Sequence, residues 1–353
     1  MTKTEPIDWI QFVNISRSVT GVGRFARDIF EVVKNSAEFF SFMLDKRYPS
    51  SDYPGTAVAG FFPMFSTGWY INTKFFNIVF RKSIKKIRNQ EKDGIYTHYT
   101  GVGMPPLSSP ELGIISIHDL FFLNEKLRED YPHRRYLARN FSGFLKFSNC
   151  MVPSSWVKEE ILNAGFKGNV TVIHHSVDSH FRPLNHKDEL RTTLKLPLGK
   201  ILVLSVSSAE KRKNLGVVKK TIDELGGNYQ LVRVGPEVPG SVTFKGVDVE
   251  KLNMIYNACD VLLLPSIAEG FGYPLIEAFS AGLPAVVSDI DVMREIGGDS
   301  AIFVENDAKH SAIGVKEALT RREELSAKGV ARSTEFSFGN FSKRVEEYYR
   351  NLQ

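Results

Sequence analysis

The chain has 353 residues, of which 42% are hydrophobic and 24% charged, so it can bury substantial cores and its length predicts two domains. Its two cysteines, Cys150 and Cys259, argue against a disulfide scaffold and are typical of a reducing compartment, which makes the cytosol the expected location. The formal net charge of +5 fits an anionic ligand or surface, although solubility alone could explain it, and no apolar run reaches the roughly 18 residues of a membrane span.

Short apolar runs alternate with helix-like stretches along the chain. They occupy residues 9–13, 113–117, 170–173, 201–206, 229–234, 261–264 and 285–288. Runs of this length, bounded by glycine, proline or charge and separated by amphipathic segments, are typical of buried parallel strands in βα units. The pattern therefore predicts an α/β protein.

Two breaks in this pattern predict the domain boundaries. A polar stretch at residues 177–197 precedes a new strand, which indicates one domain over residues 1–178 and a second over residues 179–335. Residues 336–353 resume a helical pattern whose aromatic positions are spaced to pack on structure already formed. We expect this segment to be a closing helix.

Near the N-terminus, residues 21–26 read GVGRFA and fit the glycine fingerprint of a dinucleotide site, with Asp45 at the spacing of a ribose-binding acid. An NAD-dependent dehydrogenase is therefore one alternative. Against it, residues 14–20 separate the first glycine from its strand, whereas the fingerprint glycine should follow the strand almost at once.

Residues 61–92 combine aromatic side chains with a basic cluster. The basic residues are Arg81, Lys82, Lys85, Lys86 and Arg88. Basic residues beside exposed aromatics can bind an anionic bilayer surface, as in a peripheral membrane protein. The alternative is an ordinary amphipathic helix with its aromatics in the core.

Several histidines are candidates for a site. His118 follows the apolar run 113–117, and a histidine at the carboxyl end of a strand in an open α/β sheet points toward the ligand crevice. His98 is a second candidate for that crevice. Adjacent His174 and His175 could bind a metal, but no cysteine or carboxylate set lies nearby, which favours a structural role.

The most informative stretch is residues 265–284, which read as a strand end, a loop and a helix. Gly270 and Gly272 precede the helix, so backbone amides can approach a ligand closely, and the helix N-terminus favours phosphate or sugar oxygens. Glu269 comes before the helix and Glu277 lies about one turn inside it, so both carboxylates can face one pocket. Two isolated surface glutamates are the alternative.

Taken together, these motifs resemble a known family. A glutamate, Gly-Phe-Gly-x-Pro, a second glutamate eight positions on, and an upstream Glu-x-Arg-Lys-Asn are similar to the signature of retaining GT-B glycosyltransferases. The family is large and contains bacterial mannosyl-, glucosyl- and rhamnosyltransferases (glycosyltransferase family 4, glycosyl transferases group 1). The resemblance implies two Rossmann-like domains facing across a cleft, the first for the acceptor and the second for a nucleotide-sugar, with the last helix crossing back.

The resemblance also implies roles for individual residues. Glu269 would lie at the donor sugar and Glu277 at the ribose. Arg212 and Lys213 would stabilise the leaving diphosphate, unless they form only a solvated basic surface. His118 would assist at the reaction centre. The donor-binding backbone would come from Gly21, Gly23, Gly270, Phe271 and Gly272.

One departure from the family pattern concerns the diphosphate. Some members carry a further arginine about five positions before the Arg-Lys pair, and Ser207 stands there in this chain. The binding of the diphosphate is therefore expected to be weaker or to be completed from elsewhere.

The expected activity is transfer of a hexose, with mannose from GDP-mannose as the first candidate, to a glycan or lipid-linked acceptor in cell-surface polysaccharide synthesis. Retention would come from attack on the face that the diphosphate leaves or from a short-lived intermediate. We expect no cofactor, no nucleic-acid partner and no metal, although Asp289 and Asp291 resemble the metal-binding Asp-x-Asp of the other major glycosyltransferase fold. A catalytically silent nucleotide-sugar or glycan-binding protein is a further alternative.

Overall fold

A computed structural model describes residues 10–14, 21–33, 38–41, 57–58, 81–103, 105–131 and 133–352. The chain divides into two compact units. The first comprises Met1–His175 together with Phe341–Gln353, and the second comprises Ser176–Asn340. The boundaries expected from the sequence, after residues 178 and 335, fall close to these divisions.

The first unit contains a seven-stranded sheet in which every described pairing is parallel. Its strands are β1 Ile10–Asn14, β2 Glu38–Ser41, β3 Ala57–Val58, β4 Tyr96–Tyr99, β5 Gly113–Ser116, β6 Asn149–Val152 and β7 Asn169–Val172, in the order β3-β2-β1-β4-β5-β6-β7. Strands β5 and β6 are buried along their whole length. Such continuous burial explains why β5 falls within an apolar run of the sequence.

Helices connect the strands of this sheet. They are α1 Gly21–Val33, α2 Arg81–Lys92, α3 Arg134–Phe144 and α4 Ser155–Asn163. The Ser154 side chain accepts a hydrogen bond from the Val157 amide at 3.3 Å and so caps α4, as its position before an apolar-periodic segment predicts.

The last helix, α12 (Phe338–Arg350), belongs to the first unit from Phe341 onward. Phe341, Val345 and Tyr349 are buried in one core cluster with Phe12 of β1. The Tyr349 hydroxyl lies 2.7 Å from Nδ1 of His98. The expectation that the closing helix returns to the first domain is therefore confirmed.

The second unit contains a six-stranded sheet, again with parallel pairings throughout. Its strands are β8 Ile201–Val206, β9 Tyr229–Val234, β10 Val242–Phe244, β11 Val261–Leu264, β12 Ala285–Ser288 and β13 Ile302–Val304, in the order β10-β9-β8-β11-β12-β13. Strands β11 and β12 are buried throughout and form the centre of the core.

The helices of the second unit are α5 Lys187–Thr193, α6 Leu215–Leu225, α7 Val249–Ala258, α8 Tyr273–Ser280, α9 Asp291–Gly297, α10 Ala308–Thr320 and α11 Arg322–Ser333. Asp248 caps α7 and Asp307 caps α10 through side-chain hydrogen bonds to backbone amides. Two parallel α/β sheets, each with its own core, confirm the predicted pair of Rossmann-like domains.

Candidate functional site

The strand order of the second unit identifies where a ligand binds. From β8 the chain runs to β9 and β10 on one side of the sheet, whereas β11, β12 and β13 lie on the other side. In open α/β sheets, ligands bind beyond the carboxyl ends of the strands at the point where the strand order reverses. That point lies between β8 and β11, and the loops that follow these two strands carry most of the predicted site residues.

The loop after β11 leads directly into α8. Gly272 ends the loop with a φ of +107°, a left-handed conformation that suits glycine. A Cβ at this position would also come within 3.1 Å of the Met293 side chain. The Phe271 ring is buried and packs edge-on against Phe336, at 5.8 Å between ring centroids. These contacts fix the backbone that presents Glu269.

The loop after β8 forms a short 3₁₀ turn, Lys211–Lys213, that leads into α6. Asn214 joins the two with a φ of +52°. The Ile267 amide donates to the Arg212 carbonyl oxygen at 2.7 Å, which ties this turn to the loop after β11. The two loops therefore form one structure at the carboxyl edge of the sheet.

Glu269 is the centre of a dense hydrogen-bonded group. The Lys213 ammonium donates to both of its carboxylate oxygens, at 2.6 and 2.7 Å. Arg212 donates from Nη1 to Oε2 at 2.9 Å, and the Ser266 hydroxyl donates to Oε1 at 2.7 Å. Three of the predicted site residues, Arg212, Lys213 and Glu269, are thus brought together.

The carboxyl group of Glu269 is ionised in this environment. Burial by itself opposes ionisation, but the charges of Lys213 and Arg212, with hydrogen bonds from Lys213 and Ser266, outweigh it and hold the pKa of Glu269 below its usual value. Removing either cation would leave a buried carboxylate poorly compensated.

Glu210 completes the charge balance of this group. Its carboxylate lies 2.5 Å from Nη2 of Arg212. Glu210 and Glu269 contribute two negative charges, and Arg212 and Lys213 contribute two positive charges, so these four side chains sum to zero. The side chains of Arg212 and Lys213 keep only 11% and 12% of their area exposed.

Glu277, the second predicted carboxylate, is held by a different partner. It lies on α8, is 2% exposed, and accepts a hydrogen bond from the Tyr256 hydroxyl at 2.7 Å. Tyr256 belongs to α7 and is itself fully buried. This contact fixes the direction of the Glu277 side chain.

His118 lies in the first unit, just after β5. Its Nε2 is 2.9 Å from the Thr100 carbonyl oxygen and its Nδ1 is 3.2 Å from Nε2 of His175. Because a carbonyl can only accept, Nε2 of His118 carries the proton, and in the neutral ring Nδ1 accepts from His175. Phe25 packs against both imidazoles, at 4.9 and 5.0 Å between ring centroids.

The environment keeps both of these imidazoles neutral. Burial lowers the pKa of His118 to about 4, a shift that the hydrogen bond to Thr100 opposes only in part. Burial, together with the neighbouring His118 and His174, holds the pKa of His175 well below its ordinary range. His118 therefore acts as a polar, uncharged group at neutral pH.

The remaining predictions for the first unit have mixed outcomes. Gly21 and Gly23 lie in the first turn of α1, and β1 ends at Asn14, so a connection separates them from their strand. Asp45, the acid of the dehydrogenase alternative, lies outside the described residues. His98 is fully buried between Tyr349 and the Ser116 hydroxyl, each at 2.7 Å, where it serves the core rather than a ligand.

Asp289, one of the two acids that resemble a metal motif, is engaged in an ion pair. Both of its carboxylate oxygens accept from Arg294, with Oδ2 at 2.6 Å from Nη2. Asp291 is the first residue of α9, as expected for a helix start. Asp289 and Asp291 therefore each have a structural role, in the ion pair with Arg294 and at the start of α9 respectively.

Two contributors to the site, Ser266 and Tyr256, were not identified from the sequence, and neither was the buried Arg233 of β9. Ser266 stands three residues before Glu269 and directly after β11, a position that could have identified it. Tyr256 gives no local signal, because its contact with Glu277 spans 21 residues. Arg233 is a charged residue inside the apolar run of β9, and this anomaly in the pattern could have identified it.

Helix α2 has one buried apolar face and one exposed basic face. Ile84 and Ile87 are buried in the core of the first unit. The basic side chains Arg81, Lys82, Lys85, Lys86 and Arg88 are exposed. Residues 59–80, which hold the aromatics of the predicted membrane face, lie outside the described residues. Among the helices that the structure describes, none has the length and apolar character needed to cross a membrane.

The fold matches that of WaaG, a glycosyltransferase involved in lipopolysaccharide biosynthesis, with a TM-score of 0.70 at 15% identity, covering 96% of this chain and 99% of that one. The Anabaena protein Alr3699/HepE, solved in complex with UDP-glucose, superposes with a TM-score of 0.75 at 14% identity, covering 97% of this chain and 99% of that one. The likeness identifies the architecture as GT-B.

The sequence comparisons agree with the fold. Residues 186–333 match the family model described as Glycosyl transferases group 1. O-antigen chain mannosyltransferase B of Escherichia coli is 32% identical over 129 residues, covering 35% of this chain and 34% of that protein. Serotype-specific mannosyltransferase WbdA of Escherichia coli is 26% identical over 294 residues, covering 74% of this chain and 36% of that protein.

Residues 186–333, which lie within the second unit, therefore match the group 1 glycosyltransferase family. The chain spans about a third of the length of these curated relatives, at 34% and 36%.

Proposed function

We propose that this protein is a retaining, metal-independent glycosyltransferase that uses a nucleotide-sugar donor. The observation that carries the proposal is the Arg212–Lys213–Glu269 group at the switch point of the second sheet. Two fixed cations at that point suit the diphosphate of the donor, whose leaving oxygen gains negative charge during glycosyl transfer. The second unit is accordingly the donor domain.

Each residue has a defined part in this mechanism. Arg212 and Lys213 stabilise the departing diphosphate, and the Glu269 carboxylate holds both cations in place while it orients the hexose. Glu277, fixed by Tyr256, binds the ribose hydroxyls. The amides of Gly270, Phe271 and Gly272, at the start of α8, contact donor oxygens.

Side-chain cations take the place of a divalent metal in this proposal. The two alternatives for retention stay open: attack from the face that the diphosphate leaves, or a short-lived intermediate. Chelation with EDTA therefore leaves turnover unchanged, and so does Asp289→Asn, which removes one acid of the Asp-x-Asp sequence. Loss of activity under either condition would contradict the metal-independent mechanism.

The first unit is proposed to bind the acceptor. His118 is held neutral, so it orients a sugar hydroxyl by hydrogen bonding, after exchange of its contact with His175, rather than as an acid. The backbone of Gly21 and Gly23 in the first turn of α1 is proposed to approach the donor phosphate and the acceptor.

The identity of the sugar is proposed from the relatives. Two of them are named as mannosyltransferases, one of O-antigen chains, which supports mannose from GDP-mannose and a glycan or lipid-linked acceptor of cell-surface polysaccharide. The exposed basic face of α2 supports contact with the anionic cytoplasmic surface of a membrane, where a lipid-linked acceptor would reside.

A ligand screen tests the proposal. Thermal unfolding is followed with GDP, UDP, ADP, NAD, GDP-mannose and UDP-glucose, because a ligand at about one hundred times its Kd stabilises by about 2.7 kcal/mol. Stabilisation by a nucleoside diphosphate and its sugar, with release of the diphosphate when acceptor glycans are added, is the expected result.

Two other results would identify different functions. Stabilisation by NAD alone would indicate the dehydrogenase alternative. Binding of a nucleotide-sugar with no release, even with acceptors present, would indicate a silent binding protein.

A further inference from the structure

Arg233 is a charged residue in the middle of the second unit's core. It lies on β9 beside β8 and is fully buried. Burial lowers the pKa of its guanidinium to about 10, so it still carries a positive charge at neutral pH. An isolated buried charge is costly unless hydrogen bonds or an opposite charge compensate it.

The guanidinium is compensated mainly by backbone oxygens of two loops. Its Nη1 donates to the Ser205 carbonyl at 2.8 Å, and its Nη2 donates to the Ser207 carbonyl at 2.5 Å and to the Ser207 hydroxyl at 2.9 Å. Its Nε donates to the Pro236 carbonyl at 3.1 Å. Arg233 therefore holds the end of β8 and the loop after β9 in one arrangement.

Gly235 shows how closely these loops approach each other. Its φ is +127°, and a Cβ there would lie 2.1 Å from the Ser207 carbonyl oxygen. The backbone at Ser207 is thus fixed from two directions, by the guanidinium and by the chain at Gly235. Five residues after Ser207 the same loop presents Arg212.

The positive charge of Arg233 has no acidic partner within the part of the chain that the structure describes. Its contacts there are to carbonyl and hydroxyl oxygens. By contrast, Arg191, another buried arginine of this unit, forms an ion pair with Asp260 at 2.7 Å. The Arg212 group is neutral when Glu210 and Glu269 are counted, so Arg233 adds a buried positive charge near the end of β8 that this group does not balance.

We propose that Arg233 is a positioning residue of the donor site, which shapes the loop after β8 and supplies a buried positive charge that attracts the diphosphate of the donor. The inference rests on the proposed function. A diphosphate at the end of β8 is the anion that would compensate this charge, and Ser207 is the position at which the sequence suggested that the binding of the diphosphate is completed from elsewhere.

The test compares nucleoside diphosphates with the nucleosides that lack the phosphates. Calorimetry measures the affinities of wild type and Arg233→Met for GDP and UDP, and for guanosine and uridine. We expect Arg233→Met to weaken nucleoside diphosphate binding by about tenfold and nucleoside binding much less, because a lost charge acts on the phosphates. Arg191→Met is the matched control, with a lower melting temperature and an unchanged ratio of the two affinities.

The ratio of nucleoside diphosphate to nucleoside affinity distinguishes a role of Arg233 in diphosphate binding from a purely structural role. If a folded Arg233→Met variant keeps the wild-type ratio of nucleoside diphosphate to nucleoside affinity, Arg233 is structural only and the inference is wrong. If that variant does not fold, Arg233→Gln decides, since its amide keeps part of the hydrogen bonding but removes the charge. A selective loss for diphosphates supports the inference, and no loss or an equal loss for both overturns it. If the wild type binds none of the probes, the proposed function fails first.

Discussion

Lys213 donates from a single ammonium group to both carboxylate oxygens of Glu269, at 2.6 and 2.7 Å. The two side chains come from loops after different strands and are 56 residues apart in the chain. This double hydrogen bond fixes the position of the Lys213 ammonium group, and the charge of Lys213 keeps the Glu269 carboxylate ionised. The pair therefore gives the proposed donor site a preformed charge arrangement.

Replacing the cation should reduce turnover, and it should also reduce stability because it leaves the buried Glu269 carboxylate poorly compensated. We expect Lys213→Met to lower kcat/KM by about two to three orders of magnitude, the usual cost of losing a fixed group that stabilises charge in the transition state. The assay measures release of nucleoside diphosphate from the donor that the ligand screen identifies.

The control for this variant is Lys219→Met. Lys219 lies on α6 and forms an i,i+4 pair with Asp223 at 2.5 Å on the surface. Its loss should leave kcat/KM unchanged. Equal activity of both variants would show that Lys213 does not act on the diphosphate.

The ionised state of Glu269 predicts how stability responds to acid. The pKa of this carboxyl is lower in the folded protein than its usual value of 4.5, so its contribution to stability is present above about pH 4.5 and is lost as the pH falls through the folded pKa. Denaturant unfolding of wild type and Glu269→Gln at pH 7 and pH 4 checks this. The difference in unfolding free energy between them should shrink at pH 4; a constant difference would contradict the prediction.

The Tyr256 hydroxyl should matter for the donor through Glu277. We expect Tyr256→Phe to cost about 1–2 kcal/mol of stability and to raise the KM for donor severalfold with little change in kcat, because the ribose contact is less well positioned. Steady-state kinetics with varied donor concentration measures the KM for donor and kcat separately.

Tyr349→Phe is the matched control. It removes a buried hydroxyl that contacts His98 in the first unit and should cost stability with no change in the KM for donor. If both variants alter KM equally, Tyr256 has no specific role in positioning Glu277.

The buried histidines should titrate far below the exposed ones. Burial lowers the pKa of His98 to about 3 and that of His118 to about 4, whereas Asp178 and Asp307 raise the pKa of His180 and His310. NMR titration of the ring protons measures all four, and a His118 pKa near 6.5 would contradict the neutral role assigned to it.

The same pKa shifts predict a loss of stability in mild acid. Because the unfolded chain binds protons near pH 6.5 while the folded chain does not, lowering the pH below 6.5 destabilises the protein. The loss is up to about 1.4 kcal/mol per pH unit for each of His98 and His118 until the pH reaches the folded pKa. Unfolding measured between pH 7 and pH 5 tests the slope.

Asp260 should stabilise the second unit without affecting catalysis. It accepts from Lys187 at 2.6 Å, from Arg191 at 2.7 Å and from the Leu202 amide at 2.7 Å, and it is 8% exposed. Asp260→Asn leaves buried cations without their counter-charge, so we expect a cost of about 3–5 kcal/mol in unfolding free energy and an unchanged affinity for nucleoside diphosphates. A change in that affinity would contradict a purely structural role.

Much of this arrangement could be predicted from the sequence because it is encoded locally. The apolar runs, the Gly270 to Gly272 loop before a helix and the Arg-Lys pair after a strand each depend on neighbours in the chain. The roles of individual residues in binding the donor and acceptor remain predictions.

The contacts between distant segments could not be predicted in this way. The resemblance implied that Glu269 contacts the donor sugar and that Lys213 contacts the diphosphate. The two residues form an ion pair because β8 and β11 are adjacent in the sheet. In the same way, Arg233 reaches Ser207 across a strand pairing, and His98 looked like a ligand-facing residue although α12 covers it.

A crystal structure of the protein with bound GDP or UDP, whichever stabilises it, tests the proposed donor site most directly. We expect diphosphate oxygens within hydrogen-bond distance of Lys213 and Arg212, and ribose hydroxyls at the Glu277 carboxylate. A nucleotide bound elsewhere, with Lys213 and Glu269 still paired and far from its phosphates, would contradict it.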